Sequence, residues 1–296
     1  MKKLLALLVA LCLLPSLAAA ETVVSSFYPI YLFTLNLLEG VDGVTVRNLA
    51  APGTGCLHDY QLQTGDMKTL AQADAFLING ACMESYLDSV FAAFPDLTVT
   101  DASAGIDLLE SSPENISVGE SETLRNAHVW LDPDNAILMV GNLADGLIAA
   151  CPDRAEAIAA NRDAYVARLA ALDAALTDGL SALPNRDIVT FHEAFPYFAA
   201  AYDLHVAAVV NRDPGDALSP AALGQLVLLI RDLGLPPLFV EPQYDDLAAR
   251  TLARETGAAV YMLDPIVTGP DDPPLTYYED VMMGNMAVLR EALGGE

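Results

Sequence analysis

Residues 152–184 read PDRAEAIAANRDAYVARLAALDAALTDGLSALP, and the reading of this stretch divides the chain. After Pro152 no proline interrupts it until Pro184, and Gly179 is its one glycine. Apolar side chains recur at Ile158, Tyr165, Leu169, Leu172, Leu176, Leu180 and Leu183, steps of three, four or seven that keep one face apolar. Arg154, Glu156, Arg162, Asp163 and Asp173 fall on the opposite face. The spacing predicts one helix of roughly 30 residues, about 45 Å long at 1.5 Å per residue. A coiled-coil segment is the other reading of this pattern, but the chain holds no partner repeat for it.

Outward from this helix, strand-like and helix-like runs alternate in both directions, the pattern of an α/β chain with parallel sheets. The first half offers Thr22–Ser26, Val44–Leu49, Ala75–Ile78 and Leu97–Thr100 as strands. The second offers Asp187–Phe191, His205–Val210, Pro237–Val240 and Ala258–Leu263. Two lobes are expected, each a roughly four-stranded parallel sheet flanked by helices. They occupy residues 21–150 and 185–296, with 151–184 as the linking helix. Ser219-Pro220, then Leu223, Leu226, Val227 and Ile230, then Gly234, mark a further helix by its cap, first-turn proline and terminal glycine.

The first twenty residues are expected to be a signal peptide. Lys2 and Lys3 form a positive start, Leu4 to Leu14 an apolar run, and Ala18-Ala19-Ala20 a small-residue cleavage site before Glu21. Lipid attachment at Cys12 is the alternative, disfavoured by the large Leu11 before it. No later stretch is long and apolar enough to span a membrane, so an exported, soluble protein is expected. The 14 basic and 40 acidic residues give a net charge of −26, a field that repels nucleic acid and anionic membranes and concentrates cations. Acidity of this kind also serves solubility, and by itself it identifies no site.

Of four histidines in the chain, three fall where a predicted strand gives way to a loop: His58 in GCLHDY, His128 in NAHVWLDP and His192 in VTFHEAF. Asp264, in YMLDP, has the same placement. Neutral imidazoles with a carboxylate suit a borderline divalent ion such as zinc. His205 opens a predicted strand in a context with no ligand character. The segments around the four residues resemble the metal-binding receptors of bacterial ABC importers for zinc and manganese, the cluster A-I solute-binding proteins. The resemblance runs through nearly all of the mature chain. HVWLDP is similar to that family's H-x-W-x-D-P signature, and FHEAFPYF to its H-D-A-F-x-Y-F segment. LDP matches the position of its carboxylate ligand, and VEPQ its E-P-Q turn. At Cys56-Leu57 the chain departs from the acid and proline common in the family.

The resemblance implies a metal site built from His58, His128, His192 and Asp264 in a cleft between the lobes, with Glu241 as a supporting group. A rigid linking helix that limits hinge motion is also implied. The polar stretch from Glu110 to Asn126 occupies the place of the family's histidine-rich loop but contains no histidine. The Asp132-Pro133 pair is expected to cap and start a helix, and Trp130, the one tryptophan, to pack beneath the site. Histidine as the third ligand is typical of zinc receptors in the family, whereas many manganese receptors have glutamate there.

Export would allow disulfides to persist. Cys56 and Cys82 fall in loops expected at one edge of a parallel sheet, so a Cys56–Cys82 bridge is the leading reading, with Cys56 as a thiolate ligand the sharper alternative. Cys151 is expected to be a small buried residue near a helix end.

Taken together, the expectation is a monomeric periplasmic or extracellular receptor. It would bind Zn²⁺, with Mn²⁺ as the alternative cargo, and deliver it to a membrane permease and its ATPase. A surface adhesin on the same fold and a zinc-dependent hydrolase are the rival readings. The hydrolase is disfavoured because no H-E-x-x-H helix motif, G-x-S-x-G elbow, G-x-G-x-x-G loop or P-loop is present.

Overall fold

The computed structural model describes residues 21–57, 60–110, 125–210 and 219–294. The expected signal peptide, His58 and most of the polar stretch from Glu110 to Asn126 lie outside the described residues. Two four-stranded parallel sheets are present. The first contains β1 (Glu21–Ser25), β2 (Val44–Asn48), β3 (Ala75–Ile78) and β4 (Thr98–Asp101), in the order β2-β1-β3-β4. The second contains β5 (Asp187–Thr190), β6 (His205–Val209), β7 (Leu238–Val240) and β8 (Val260–Met262), in the order β6-β5-β7-β8. The two orders are the same. Each therefore reverses direction at one point, beside β1 in the first sheet and β5 in the second. Ligands of open α/β sheets collect in the crevice outside the strand ends at such a point.

The helices are α1 (Tyr28–Leu37), α2 (Thr64–Leu70), α3 (Leu87–Ala93), α4 (Pro133–Ala150), α5 (Ala155–Ser181), α6 (Pro196–Ala201), α7 (Pro220–Asp232), α8 (Leu247–Thr256) and α9 (Tyr277–Leu293). Local chemistry sets several of their ends. Asp132 caps α4 by accepting the Asp134 N–H at 2.9 Å, with Pro133 in the first turn. Ser219 caps α7 by accepting the Ala222 N–H at 3.2 Å, and Gly234 follows with φ +81°.

The long linking helix is α5, 27 residues or about 40 Å. It is shorter than the 151–184 expected, because Pro152–Arg154 forms a separate 3-10 turn after Cys151, and α5 ends at Ser181, short of Pro184. Its buried residues are Ile158, Tyr165, Leu169, Leu172, Leu176 and Leu180, the apolar face read from the spacing. Asn161 donates to the carbonyls of Leu37 and Glu39, tying α5 to the exposed end of α1. Two turns further along, Arg168 pairs with Glu279 of α9 at 2.9 Å. At Gly179 an added Cβ would lie 2.2 Å from the Met286 sulfur, so α5 and α9 approach closely there and a larger residue would displace the Met286 side chain.

The two sheets share one main core. A single cluster of buried side chains joins Val23, Val24, Phe33 and Phe76 of the first half to Leu169 and Leu176 of α5 and to Ile188, Phe239, Leu263 and Tyr278 of the second. A smaller separate cluster holds Val189, Ala208, Leu226, Ile230, Leu238 and Leu252, joining the second sheet to α7 and α8. Among the described residues no single helix is long and apolar enough to cross a membrane.

Candidate metal centre

His128 and His192 come from opposite sides of α5 and meet with ring centroids 4.7 Å apart, nearly perpendicular. Both are buried, each at 2% exposure. His192 arrives two residues beyond the end of β5 and Glu241 directly beyond the end of β7, at the reversal point of the second sheet. His128 arrives differently from the strand-end placement expected of it. It precedes a 3-10 turn, Val129–Leu131, and follows the isolated bridge between Glu110 and Arg125, since β4 has already ended at Asp101. The helix cap at Asp132-Pro133, rather than a strand, sets where this histidine stands.

Each ring has a partner on Nδ1. His192 Nδ1 lies 3.2 Å from Glu241 Oε1, and Gln243 Nε2 donates to Glu241 Oε2 at 2.6 Å. His128 Nδ1 lies 3.2 Å from Asn126 Oδ1. Acceptors at Nδ1 select the tautomer with the proton there, which turns the lone pair of Nε2 toward a metal. Glu241 is thus placed as a carboxylate that orients a histidine, with both residues 2% exposed.

A third donor joins them. Cys56 Sγ lies 3.4 Å from His128 Nε2, and one potential ligand atom from each of Cys56, His128 and His192 falls within 4.8 Å of the others. The expected Cys56–Cys82 bridge is absent. Cys56, Cys82 and Cys151 are all free thiols. Cys82 is exposed, in a turn where Ala81 and Cys82 both have positive φ, while the Cys56 sulfur faces the histidine. Burial first, and then the charge of Glu241, pushes the Cys56 thiol above its ordinary range. Cys151 is fully buried at the end of α4.

Asp264 stands two residues beyond β8 and outside that three-donor group. Its Oδ1 accepts the Ile266 N–H at 2.7 Å, and its own N–H donates to Asn285 at 2.9 Å. Burial, and to a smaller extent the nearby Glu241 charge, raises its pKa above that of an ordinary carboxylate. His58 lies outside the described residues. His205 sits at the opposite edge of the second sheet, exposed, with its Nδ1 2.8 Å from Asp187.

Cross-ties hold the ligand segments of the two halves together. Asn126 Nδ2 donates to the Glu193 carbonyl at 2.7 Å, and the Tyr197 hydroxyl to the Asn126 carbonyl at 3.0 Å. Trp130 packs fully buried beside His128, centroids 5.2 Å apart, and its indole N–H donates to the Pro265 carbonyl at 2.8 Å. The Tyr278 hydroxyl donates to the Trp130 carbonyl at 2.6 Å. Asn79, after β3, donates to the Ala127 carbonyl at 3.0 Å. The turn carrying Asn79 is braced in its turn by Glu84, which accepts the N–H groups of Asn79 and Gly80 at 2.7 and 3.1 Å. Gly80 has φ +78°, and an added Cβ would lie 1.9 Å from the Asp101 carboxylate, so a side chain there would be strained and would displace Asp101. None of these supports except Trp130 and Glu241 carries a signal in the sequence, because each acts on main chain, at long range for Asn79, Asn126 and Tyr197 and within one turn for Glu84.

Burial pushes Glu84 up to about 7 from 4.5. A raised carboxylate pKa means the folded state holds the proton more tightly than the unfolded one. The stabilisation is therefore complete below about 4.5 and is lost as pH rises through about 7. The metal-free protein should lose up to about 3 kcal/mol over that window from this group. Glu84→Gln should flatten the decline, read by urea denaturation at pH 5 and pH 8. Equal slopes for the two proteins would show that Glu84 ionises without cost.

The family model described as "Zinc-uptake complex component A periplasmic" matches residues 23–292. The zinc-binding lipoprotein AdcA of Streptococcus pneumoniae serotype 4 is 29% identical over 314 residues; the match takes in all of this chain and 62% of that relative. The chain thus spans less than two thirds of the length of that protein. A structure of FpvC from Pseudomonas aeruginosa in complex with Mn²⁺ superposes with a TM-score of 0.80 at 26% identity, covering 93% of this chain and 99% of the other. A zinc-bound deletion mutant of ZnuA superposes with a TM-score of 0.77 at 26% identity, covering 94% and 99%.

Proposed function

The chain belongs to the periplasmic zinc-uptake complex component A family, and from that membership we propose that it captures Zn²⁺ outside the cytoplasm and delivers it to the permease and ATPase of an ABC importer. The observation that carries the proposal is the meeting of His128 and His192, one from each half, with Nδ1 of each ring held by an oxygen acceptor. The proposed ligands are His58, His128, His192 and Asp264. Capture requires neutral imidazoles, because a protonated ring has no lone pair to give. Asp264 would supply negative charge, and its burial beside Glu241 makes that charge costly until a cation arrives. The protein acts as a receptor and performs no bond chemistry on its cargo.

Manganese is the second reading, since one related structure holds Mn²⁺. Donor chemistry favours zinc, because manganese prefers oxygen donors and this site presents imidazoles. Affinity order alone is weak support, as most nitrogen-rich sites obey the same series. A substitution is more telling. His192→Glu should narrow the ratio of zinc to manganese affinity by weakening zinc and adding a hard oxygen donor. Competition titrations of both proteins with the two ions measure the ratio, and an unchanged or wider ratio would remove His192 from the ligand set.

A further inference from the structure

We propose that Cys56 is a thiolate donor to the same ion, which adds sulfur to the imidazoles of the centre; the proposal rests on the reading of His128 and His192 as metal ligands. The first support is distance. Zinc bonds of about 2.3 Å to sulfur and about 2.0 Å to imidazole nitrogen, at a tetrahedral angle, set the two donors about 3.5 Å apart. Cys56 Sγ and His128 Nε2 are 3.4 Å apart. The pair therefore already has the separation that a shared zinc ion imposes. His192 completes a group of three donor atoms with no pair farther apart than 4.8 Å, so a tetrahedral arrangement needs movement of at most about 1.5 Å.

The second support is tautomer logic. With Asn126 Oδ1 accepting the His128 Nδ1 proton, Nε2 is an acceptor, and the contact with Cys56 is an S–H donating to it. The thiol proton then lies between the two atoms that would hold the metal. On binding, the S–H bond is exchanged for an S–metal bond and the proton passes to water, with no change of oxidation state. A free buried cysteine is ordinarily a small apolar filler. Here the neighbouring Leu57 fills the core at 0% exposure, and the sulfur is directed at an imidazole nitrogen.

A soft sulfur donor strengthens discrimination against manganese and widens acceptance to cobalt and cadmium. The test loads the full exported chain with Co²⁺ alone and records its visible d–d bands and the near-ultraviolet thiolate-to-cobalt charge-transfer band. The expected result is both signals in the wild-type protein. Cys56→Ser should lose the charge-transfer band while keeping d–d bands, and Cys82→Ser, at the exposed thiol, should keep both. Zinc should protect the Cys56 thiol of the wild-type chain from alkylation, a readout that needs no variant. Bound cobalt with d–d bands but no charge-transfer band, or a band that survives Cys56→Ser, overturns the sulfur ligand and leaves the histidine site standing. Failure of the wild-type chain to bind cobalt, together with unchanged zinc affinity in His128→Ala and His192→Ala, overturns the metal-site reading itself and this inference with it.

Discussion

His128→Ala and His192→Ala each lower zinc affinity at least tenfold, about 1.4 kcal/mol, while His205→Ala leaves it unchanged. The expectation follows from geometry. The first two rings meet face to edge across the two halves and are oriented by Asn126 and Glu241. His205 is exposed at the far edge of the second sheet and already pairs with Asp187. Chelator-competition titration measures all three. The same series includes His58→Ala and Asp264→Ala, each expected to cost at least tenfold. Asp264 is the informative member, because its carboxylate lies outside the group of three donors and must turn toward the metal to contribute. Retained affinity in Asp264→Ala would restrict the ligand set to histidine and sulfur. Loss at His205 without loss at His128 would mean that the metal lies elsewhere.

The second large effect concerns stability. Trp130→Ala should destabilise the metal-free protein by about 3–5 kcal/mol, the range for truncating a fully buried large aromatic. The residue has 0% exposure, packs edge-on to Phe27 with centroids 5.2 Å apart, and ties its indole N–H to Pro265. Trp130→Phe retains a ring but strands the Pro265 carbonyl, a penalty of about 1–3 kcal/mol if water cannot reach it. Because Trp130 is the sole tryptophan, circular dichroism rather than fluorescence must follow the unfolding. A loss below about 1 kcal/mol in Trp130→Ala would show that the space collapses around the missing ring. Zinc affinity should fall as well, since the Asp264 and His128 segments would no longer be joined through this side chain.

The strands are legible because each is a short run containing valine, isoleucine, phenylalanine or tyrosine between turn residues, and Ala75–Ile78 coincides with β3 at both ends. The face of α5 was legible because its periodicity is unbroken by proline. The helix began later than expected, since nothing local distinguishes the first turn of a helix from the 3-10 turn at Pro152–Arg154. At the site, His192 and Asp264 follow strands as read, whereas His128 is set by a helix cap that the sequence also announced in Asp132-Pro133. The expected Cys56–Cys82 pairing fails for a plain physical reason. Spacing says which loops two thiols occupy but not which way each sulfur points, and Cys56 turns toward His128 while Cys82 faces solvent. The supporting contacts of Asn79 and Asn126 join positions 48 and 67 residues apart, that of Glu84 acts on nearby main chain, and none leaves a pattern along the chain.

Two sheets sharing one main core imply one cooperative unit rather than two. Side chains from both halves close around α5 without an apolar gap between them, so parting the halves would bare much of the surface that unfolding bares. Neither half, cut at residue 184, would keep its own interior dry. The smaller cluster under α7 and α8 is tied into the same unit, because its Val189 and Leu238 lie on β5 and β7, the strands that lead to His192 and Glu241. In the proposed receptor role, release of the ion would then come from rearranging the few residues that grip it, and not from swinging open like a two-piece shell.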